Sequence, residues 1–158
     1  GAGAAVQIGS LAVTPVVVPH DAHEPLQFVI ENAQGLRLGI LSDLGAVTPH
    51  IVGAYQGCHA LQVEANHDPG MLETGPYPPV LRARVAGDYG HLSNAQCADF
   101  IARVRWPGLR FVTAGHISEK NNDRNLVAQV LAEAIGCPPQ DVPLLSQDEM
   151  SDWVALND

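Results

Sequence analysis

With 158 residues, 46% of them hydrophobic, the chain can bury a core of its own, and a mean hydropathy of +0.05 with no low-complexity block excludes a disordered protein. No apolar run approaches the ~20 residues of a membrane span, so no membrane partner is expected. The net charge of −9 argues against a broadly basic nucleic-acid-binding surface but leaves room for a local patch. Three cysteines, Cys58, Cys97 and Cys137, form no C-x-x-C pair. They predict reduced thiols and a cytoplasmic setting, with Cys58 and Cys97 in the core. Seven histidines stand against eight Lys and Arg, a ratio that points toward metal or acid–base chemistry.

Residues 1–5 are Gly and Ala without Met, and are expected to be a cut end. Residues 6–8 and 11–18 are β-branched and apolar and predict two strands joined at Gly9-Ser10. Pro19 and Pro25 bracket a loop that holds His20, Asp21 and His23. Residues 27–32 and 36–41 predict a hairpin turning at Ala33-Gln34-Gly35, and the second strand runs into Ser42-Asp43. Thr48 and Pro49 suit a helix start, with the helix reaching Tyr55 and stopped at Gly57. A buried strand is expected over 60–63, a helix over 78–85, and a longer amphipathic helix from a cap at Asn94 to about Val104. After Pro107-Gly108 come a strand over 109–113, a helix capped by Asp123 that runs to Ile135, a last strand over 142–145, and an acidic tail over 148–158. Strands first, then alternating β and α, predict one α/β (α+β) domain.

Four of these strands are followed within three residues by a titratable residue: His20, Asp43, Glu64 and His116. In α/β proteins, residues distant in sequence converge at one edge of the sheet in this way. His20, Asp43 and His116 are two imidazoles and a carboxylate, a set that zinc, iron and manganese accept. Loop histidines and a capping aspartate without any metal are the competing reading. Glu64 with His91 suits a proton relay, because a carboxylate fixes an imidazole's tautomer and raises its pKa. A His–Glu hydrogen bond that only staples two loops explains the pair as well. His67 and Asp68 suit a supporting role near the site, or a helix cap in the case of Asp68 before Pro69. His23, His50 and His59 are expected at the surface or in packing. Arg82, Arg84, Lys120 and Arg124 suit a small anionic-substrate patch, or a solvated helix face. No G-x-S-x-G elbow, G-x-G-x-x-G or P-loop is present.

The motifs P-H-D-A, S-D-L-G, E-A-N-H-D-x-x-M-L-x-x-G-P-Y-P, G-H-L-S-N and H-I-S-E-x-N-N occur here in that order. The chain from Val6 to Gln147 thereby resembles the C-terminal half of metallo-β-lactamase-fold hydrolases of the WalJ/YycJ-like group, relatives of ribonuclease Z. The resemblance implies the second αβ half of a four-layer α/β/β/α sandwich, a mixed sheet with helices on one face. It implies His20, Asp43 and His116 as ligands of a two-metal site holding Zn or Mn. Glu64 and His91 are implied as the pair that protonates the leaving oxygen, with His67 beside them. Asn66, Ser93, Asn94, Lys120 and Asn121 lie inside the motifs and are candidates for substrate binding. The implied reaction is phosphodiester hydrolysis of nucleic acid by a hydroxide activated between two metals, with 5′→3′ exonuclease action.

The group's H-x-H-x-D-H cluster has no counterpart in this sequence. Weak or partial metal binding, and activity only together with a second half, are therefore expected. A half-fold exposes the sheet face that the other half would cover, which predicts self-association or pairing with a chain carrying that half. A small ester, lactone or lactam hydrolase of the same fold, and a non-catalytic interaction module, are the alternatives.

Overall fold

The computed structural model describes residues 3–156. Of the end expected over 1–5 and the tail over 148–158, residues 1, 2, 157 and 158 lie outside the described residues. An antiparallel meander opens the chain: β1 (Val6–Ile8), β2 (Leu11–Val17), β3 (Leu26–Glu31) and β4 (Arg37–Leu41). β-Branched residues such as Val13, Val16, Val29 and Ile30 recur in these strands because they pack well on a pleated surface. The β3–β4 turn is set by Asn32, whose side chain accepts from the backbone N–H groups of Gln34 and Leu36, and by Gly35 at φ 80°.

Strand direction then changes. α1 (Pro49–Tyr55) crosses to β5 (Ala60–Glu64), which runs parallel to β4. A longer excursion through α2 (Pro69–Thr74), α3 (Pro79–Val85) and α4 (Asn94–Val104) returns to β6 (Phe111–Gly115), parallel to β5. α5 (Arg124–Ile135) and a short 3-10 turn (Pro139–Asp141) follow. The six strands lie side by side in sequence order. Because β4, β5 and β6 are parallel neighbours, their carboxyl ends share one edge, and the loops after them meet there. The mixed sheet with helices expected from the sequence is the fold observed.

The two faces of the sheet differ. One carries Val16, Val29, Leu41, Leu61, Val63, Val112 and Ala114, which join Ile51 and Tyr55 of α1, Phe100 and Ile101 of α4, and Val127 and Leu131 of α5 in a single core. Burying each such side chain stabilises the fold by about 1.5–3 kcal/mol. The Tyr55 hydroxyl, taken into this core, donates to the Ile40 carbonyl at 2.6 Å. Cys58 and Cys97 are buried as expected, and burial pushes the Cys58 thiol up to about 11 and raises Cys97 as well. Alternate residues point to the opposite face. Register aligns Val13, Ile30, Leu38, Ala60 and Phe111 there, with Pro15, Phe28 and Ile40 in the next row. Val17 keeps 47% and Phe28 38% of its exposure on this side. The segment after Leu145 passes along the β4–β6 part of that face, yet Met150 and Trp153 are fully exposed.

Several boundaries differ from the sequence reading, each for a physical reason. Residues 142–145 form no strand; Leu144 makes only an isolated parallel bridge to Ala114. Pro143 has no N–H to continue a ladder, so its carbonyl accepts from Ala114 N and Thr113 Oγ1 while Leu145 N donates to Ala114. The strand expected over 109–113 starts two residues later, because Leu109 is held in a turn by its bond to the Trp106 carbonyl. The cap of α4 is Ser93 rather than Asn94: Ser93 and Gln96 form a reciprocal capping box. Residues 69–74 form α2, of which the sequence shows only the possible cap at Asp68 before Pro69; Asp68 Oδ1 accepts from Met71 N at 2.9 Å.

Gly45 fastens the β4 exit to the α3–α4 loop. Its N–H donates to the Pro19 carbonyl, and a Cβ at this position would stand 2.3 Å from the Gly87 carbonyl oxygen. The contact is backbone on backbone and has no flexible group to yield. Gly45→Ala is expected to lower stability by about 1–3 kcal/mol, read as a drop in the urea midpoint at unchanged slope.

Candidate metal and acid–base site

Glu64 ends β5 at the middle of the shared edge, Asp43 lies two residues past β4, and His116 follows β6 directly. His91 arrives from the loop between α3 and α4. Glu64 is fully buried, and a buried carboxylate needs partners. It has them from three segments. Oε1 accepts from Leu92 N at 2.8 Å and from His91 Nδ1 at 3.2 Å. Oε2 accepts from Asp43 N and from His116 Nδ1, both at 2.7 Å, and from Ser42 Oγ at 3.4 Å. Burial alone would raise the Glu64 pKa; the hydrogen bonds from His116 and His91, with their charge, outweigh it and hold it at about 2. The same bond to Glu64 raises His116 against the opposing effect of burial.

An ionised carboxylate only accepts, so both rings present Nδ1–H to Glu64 and keep Nε2 for other chemistry. The backbone reinforces this arrangement. Asp43 and His116 both adopt φ 53°, and they are the only non-glycine residues at positive φ among the described residues. Such conformations cost roughly 1–3 kcal/mol each and concentrate at functional sites. Here the bonds that Glu64 takes from the Asp43 N–H and the His116 ring sit on both of them.

Asp43, Glu64, His91 and His116 each offer a ligand atom within 4.8 Å of the others. Asp43 Oδ1 lies 3.5 Å from His116 Nδ1 and 3.8 Å from His91 Nδ1. Mixed carboxylate and imidazole donors suit a divalent cation of the zinc or manganese kind. Both Glu64 oxygens already hold protein N–H groups, so Glu64 suits orienting the rings. Asp43, with 48% of its side chain exposed, and the outward imidazole nitrogens are the donors left for an ion. His20 stands beside this group, its ring 5.2 Å from that of His91. Its Nδ1 lies 3.0 Å from the Gly90 carbonyl, which fixes the proton there, and its Nε2 lies 3.6 Å from Asp21 Oδ1. Asp21 is in turn paired with Arg84, whose hydrogen bond holds the Asp21 carboxyl below its ordinary range.

Other residues singled out in the sequence fall in different places. Ser93 caps α4. Asn94 is buried in a reciprocal amide pair with Asn122, which also donates to the Ala65 carbonyl. Asn66 donates to the His116 carbonyl and so steadies the ligand loop. Asn121 is buried, donates to Ser118 Oγ, and leaves Oδ1 without a partner. His67 is buried with Nδ1 unpartnered, and burial pushes its pKa down, toward a neutral ring. His59 packs edge-on against Trp106, while His23 and His50 are exposed. Arg82 donates to the Glu73 carbonyl and Arg124 to those of Leu144 and Leu145, so neither stands free as part of an anion patch. The structure thus gathers His20, Asp43, Glu64, His91 and His116, and places His67, Ser93, Asn94 and Asn121 in buried positions. Tyr77, beside Lys120 at the mouth of the site, escaped the sequence reading as a separate candidate, although it sits within G-P-Y-P.

Two outcomes follow for the metal-free protein. Glu64 has a depressed pKa, so its contribution to stability, roughly 3 kcal/mol, is complete above pH 4.5 and lost as pH falls toward 2. His116 has a raised pKa, so its contribution is complete below 6.5 and lost as pH rises through its folded value. Urea midpoints against pH should therefore form a plateau between those limits, flattened on both sides by Glu64→Gln. Asp43→Gly should leave stability unchanged or raise it by up to ~1 kcal/mol, because it relieves a positive φ and keeps the N–H bond to Glu64. The same variant should lose divalent-metal binding in calorimetry.

No family model matches the chain. It is 33% identical to exodeoxyribonuclease YycJ of Bacillus anthracis over 129 residues, 79% of this chain and 48% of that protein. It is 29% identical to exodeoxyribonuclease WalJ of Streptococcus pneumoniae over 127 residues, 80% of this chain and 47% of that protein. The chain thus spans about half the length of these relatives. Among solved structures, the metallo-β-lactamase fold protein YhfI from Bacillus subtilis superposes with a TM-score of 0.65 at 8% identity, covering 92% of this chain and 50% of that one. The short form of human tRNase Z (ELAC1) gives 0.55 at 17% identity, covering 89% and 42%. At these identities the structural likeness speaks for the fold alone. The parallel strand ends, the residues they carry and the sequence match converge: this chain is a metallo-β-lactamase-fold homologue of the YycJ and WalJ proteins.

Proposed function

We propose that the chain carries part of a metal-dependent phosphodiesterase that removes nucleotides from nucleic acid ends, as the names of its YycJ and WalJ relatives suggest. The observation that carries this reading is the pair Asp43 and His116, both held at positive φ around one saturated, buried carboxylate. In this reading Asp43 and His116, with His20 approaching from beside His91, hold Zn or Mn, two ions in the complete site. Such a cation supplies Lewis-acid polarisation of a phosphodiester and lowers the pKa of water. Glu64 aims both rings through their Nδ1–H groups. His91, partly exposed and fixed through Nδ1, carries the proton at Nε2 that the leaving oxygen takes, with 5′→3′ removal as the expected direction. His67, buried and neutral, supports the loop behind this pair.

The exposed sheet face supports a second part of the proposal. Val17 and Phe28 remain open in a row of apolar side chains, and the chain covers about half of its relatives. Pairing with a second copy buries that row; an αβ unit bearing the H-x-H-x-D-H cluster buries it and also completes the ligand set. Hydrolysis of a small ester or lactone is the second reading, favoured by the net charge of −9.

Turnover of a single-stranded 5′-phosphorylated oligonucleotide, with a lactone alongside, tests the function in the assembled protein. Expected are loss of activity with EDTA, recovery with Zn or Mn, and a fall in kcat of at least ~100-fold in His91→Ala. Activity indifferent to EDTA, or lactone turnover alone, sinks the nuclease reading. Sedimentation should show a dimer or a paired complex; a clean monomer at micromolar concentration contradicts the pairing.

A further inference from the structure

A cavity of about 340 Å³ opens beside His91 and His116, within the size range of small-ligand pockets. Its apolar wall is Leu81 and Val85 of α3, together with the ring of Tyr77; its other wall includes Ser118, Glu119 and Lys120. The Tyr77 ring is half-buried, and the Lys120 ammonium stands 6.0 Å from its centroid.

Lys120 is the chain's only lysine. Each arginine is already engaged. Arg84 pairs with Asp21, Arg103 with Asp99 and Arg37 with Glu31. Arg82, Arg105 and Arg124 donate to backbone carbonyls, and Arg110 has a partner of its own. Among the described residues Lys120 has neither an ion pair nor a side-chain hydrogen bond, and it is exposed. An anion entering this cavity therefore meets one available fixed cation, placed over one flat aromatic ring, with the exposed Glu119 carboxylate on the same wall.

We infer that this cavity seats the nucleotide next to the scissile phosphodiester: the base stacks on Tyr77, and Lys120 leaves the ring to bind the flanking phosphate. The inference rests on the phosphodiesterase reading above and adds the form of the substrate, an unpaired end. A cation–π contact at an exposed site is weak, so the exchange of ring for phosphate is cheap. A flat ring with one cation is sequence-tolerant, because every base has a π-face. A base can lie on Tyr77 only when it has left its partner strand, which makes the cavity a selector of single-stranded ends. The apolar wall of Leu81 and Val85 supports the base edge and offers no hydrogen-bond pattern to read.

The test measures binding by fluorescence anisotropy at low salt in EDTA, so that no cleavage occurs. The probes are a 5′-phosphorylated four-nucleotide single strand, the same strand abasic at its first position, and a blunt duplex. The protein is expected to prefer the base-bearing strand over the abasic one by about tenfold. Tyr77→Ala and Tyr77→Leu should abolish that preference and Tyr77→Phe should keep it, while Lys120→Gln should weaken both single strands alike. The intact base-versus-abasic comparison needs no variant, so a misfolded Tyr77→Ala does not blunt the test. Equal binding of the two strands, a preference that survives Tyr77→Leu, duplex binding as tight as single-strand binding, or no binding at all overturns the inference. Bis(p-nitrophenyl) phosphate turnover in the assembled protein separates the two claims. Its absence alongside intact base preference overturns the phosphodiesterase reading and leaves the binding site standing.

Discussion

The architecture of the site depends on one buried carboxylate. Glu64 sits at the end of the central parallel strand and takes hydrogen bonds from the segments after β4, after β6 and before α4. Removing a carboxylate from water is expensive, and the penalty is offset only when several donors converge. That requirement locks three chain segments, distant in sequence, into one register. A folding constraint thereby becomes a chemical one: the donors that satisfy Glu64 are the rings and the backbone that define the site.

The parallel half of the sheet explains why those segments meet. β4, β5 and β6 present their carboxyl ends together, and the chain after β4 consists largely of crossovers that return it to that edge. The antiparallel meander serves a different purpose. It widens the sheet and gives α1 a floor, as the hydrogen bond from Tyr55 to Ile40 shows. The loop of His20 links the two halves, since Gly45 bonds to Pro19 and Asp21 bonds to Tyr89.

Much of this was legible in the residues themselves. Strand ends with Asp43, Glu64 and His116 at or just past them are local patterns, and periodicity marks α4 and α5 clearly. What escaped is non-local or short. α2 has six residues, too few for a period to emerge, and it exists because Asp68 caps it and Pro69 opens it. Ser93 and Asn94 are both good caps on paper; Gln96 at the third helical position decides for Ser93. Pro143 ended a strand that its apolar neighbours suggested. The saturation of Glu64 has no sequence signature, because two of its donors are backbone N–H groups 21 and 28 residues away. The same holds for the engagement of the arginines, which leaves Lys120 alone and which only three dimensions reveal.

The sheet's two borders and its open face bear differently on how this molecule meets its neighbours. β1 is a three-residue strand, and alongside β6 the Pro143 segment offers a bridge in place of a continuous ladder. Both borders are poor templates for another strand, which is how natural sheets resist edgewise growth. The apolar rows across β2, β3 and β4 have no such protection. Contact between molecules is therefore channelled into layered stacking of sheet on sheet and away from lateral extension, so that the misassembled form of this protein should be a compact aggregate rather than a fibril.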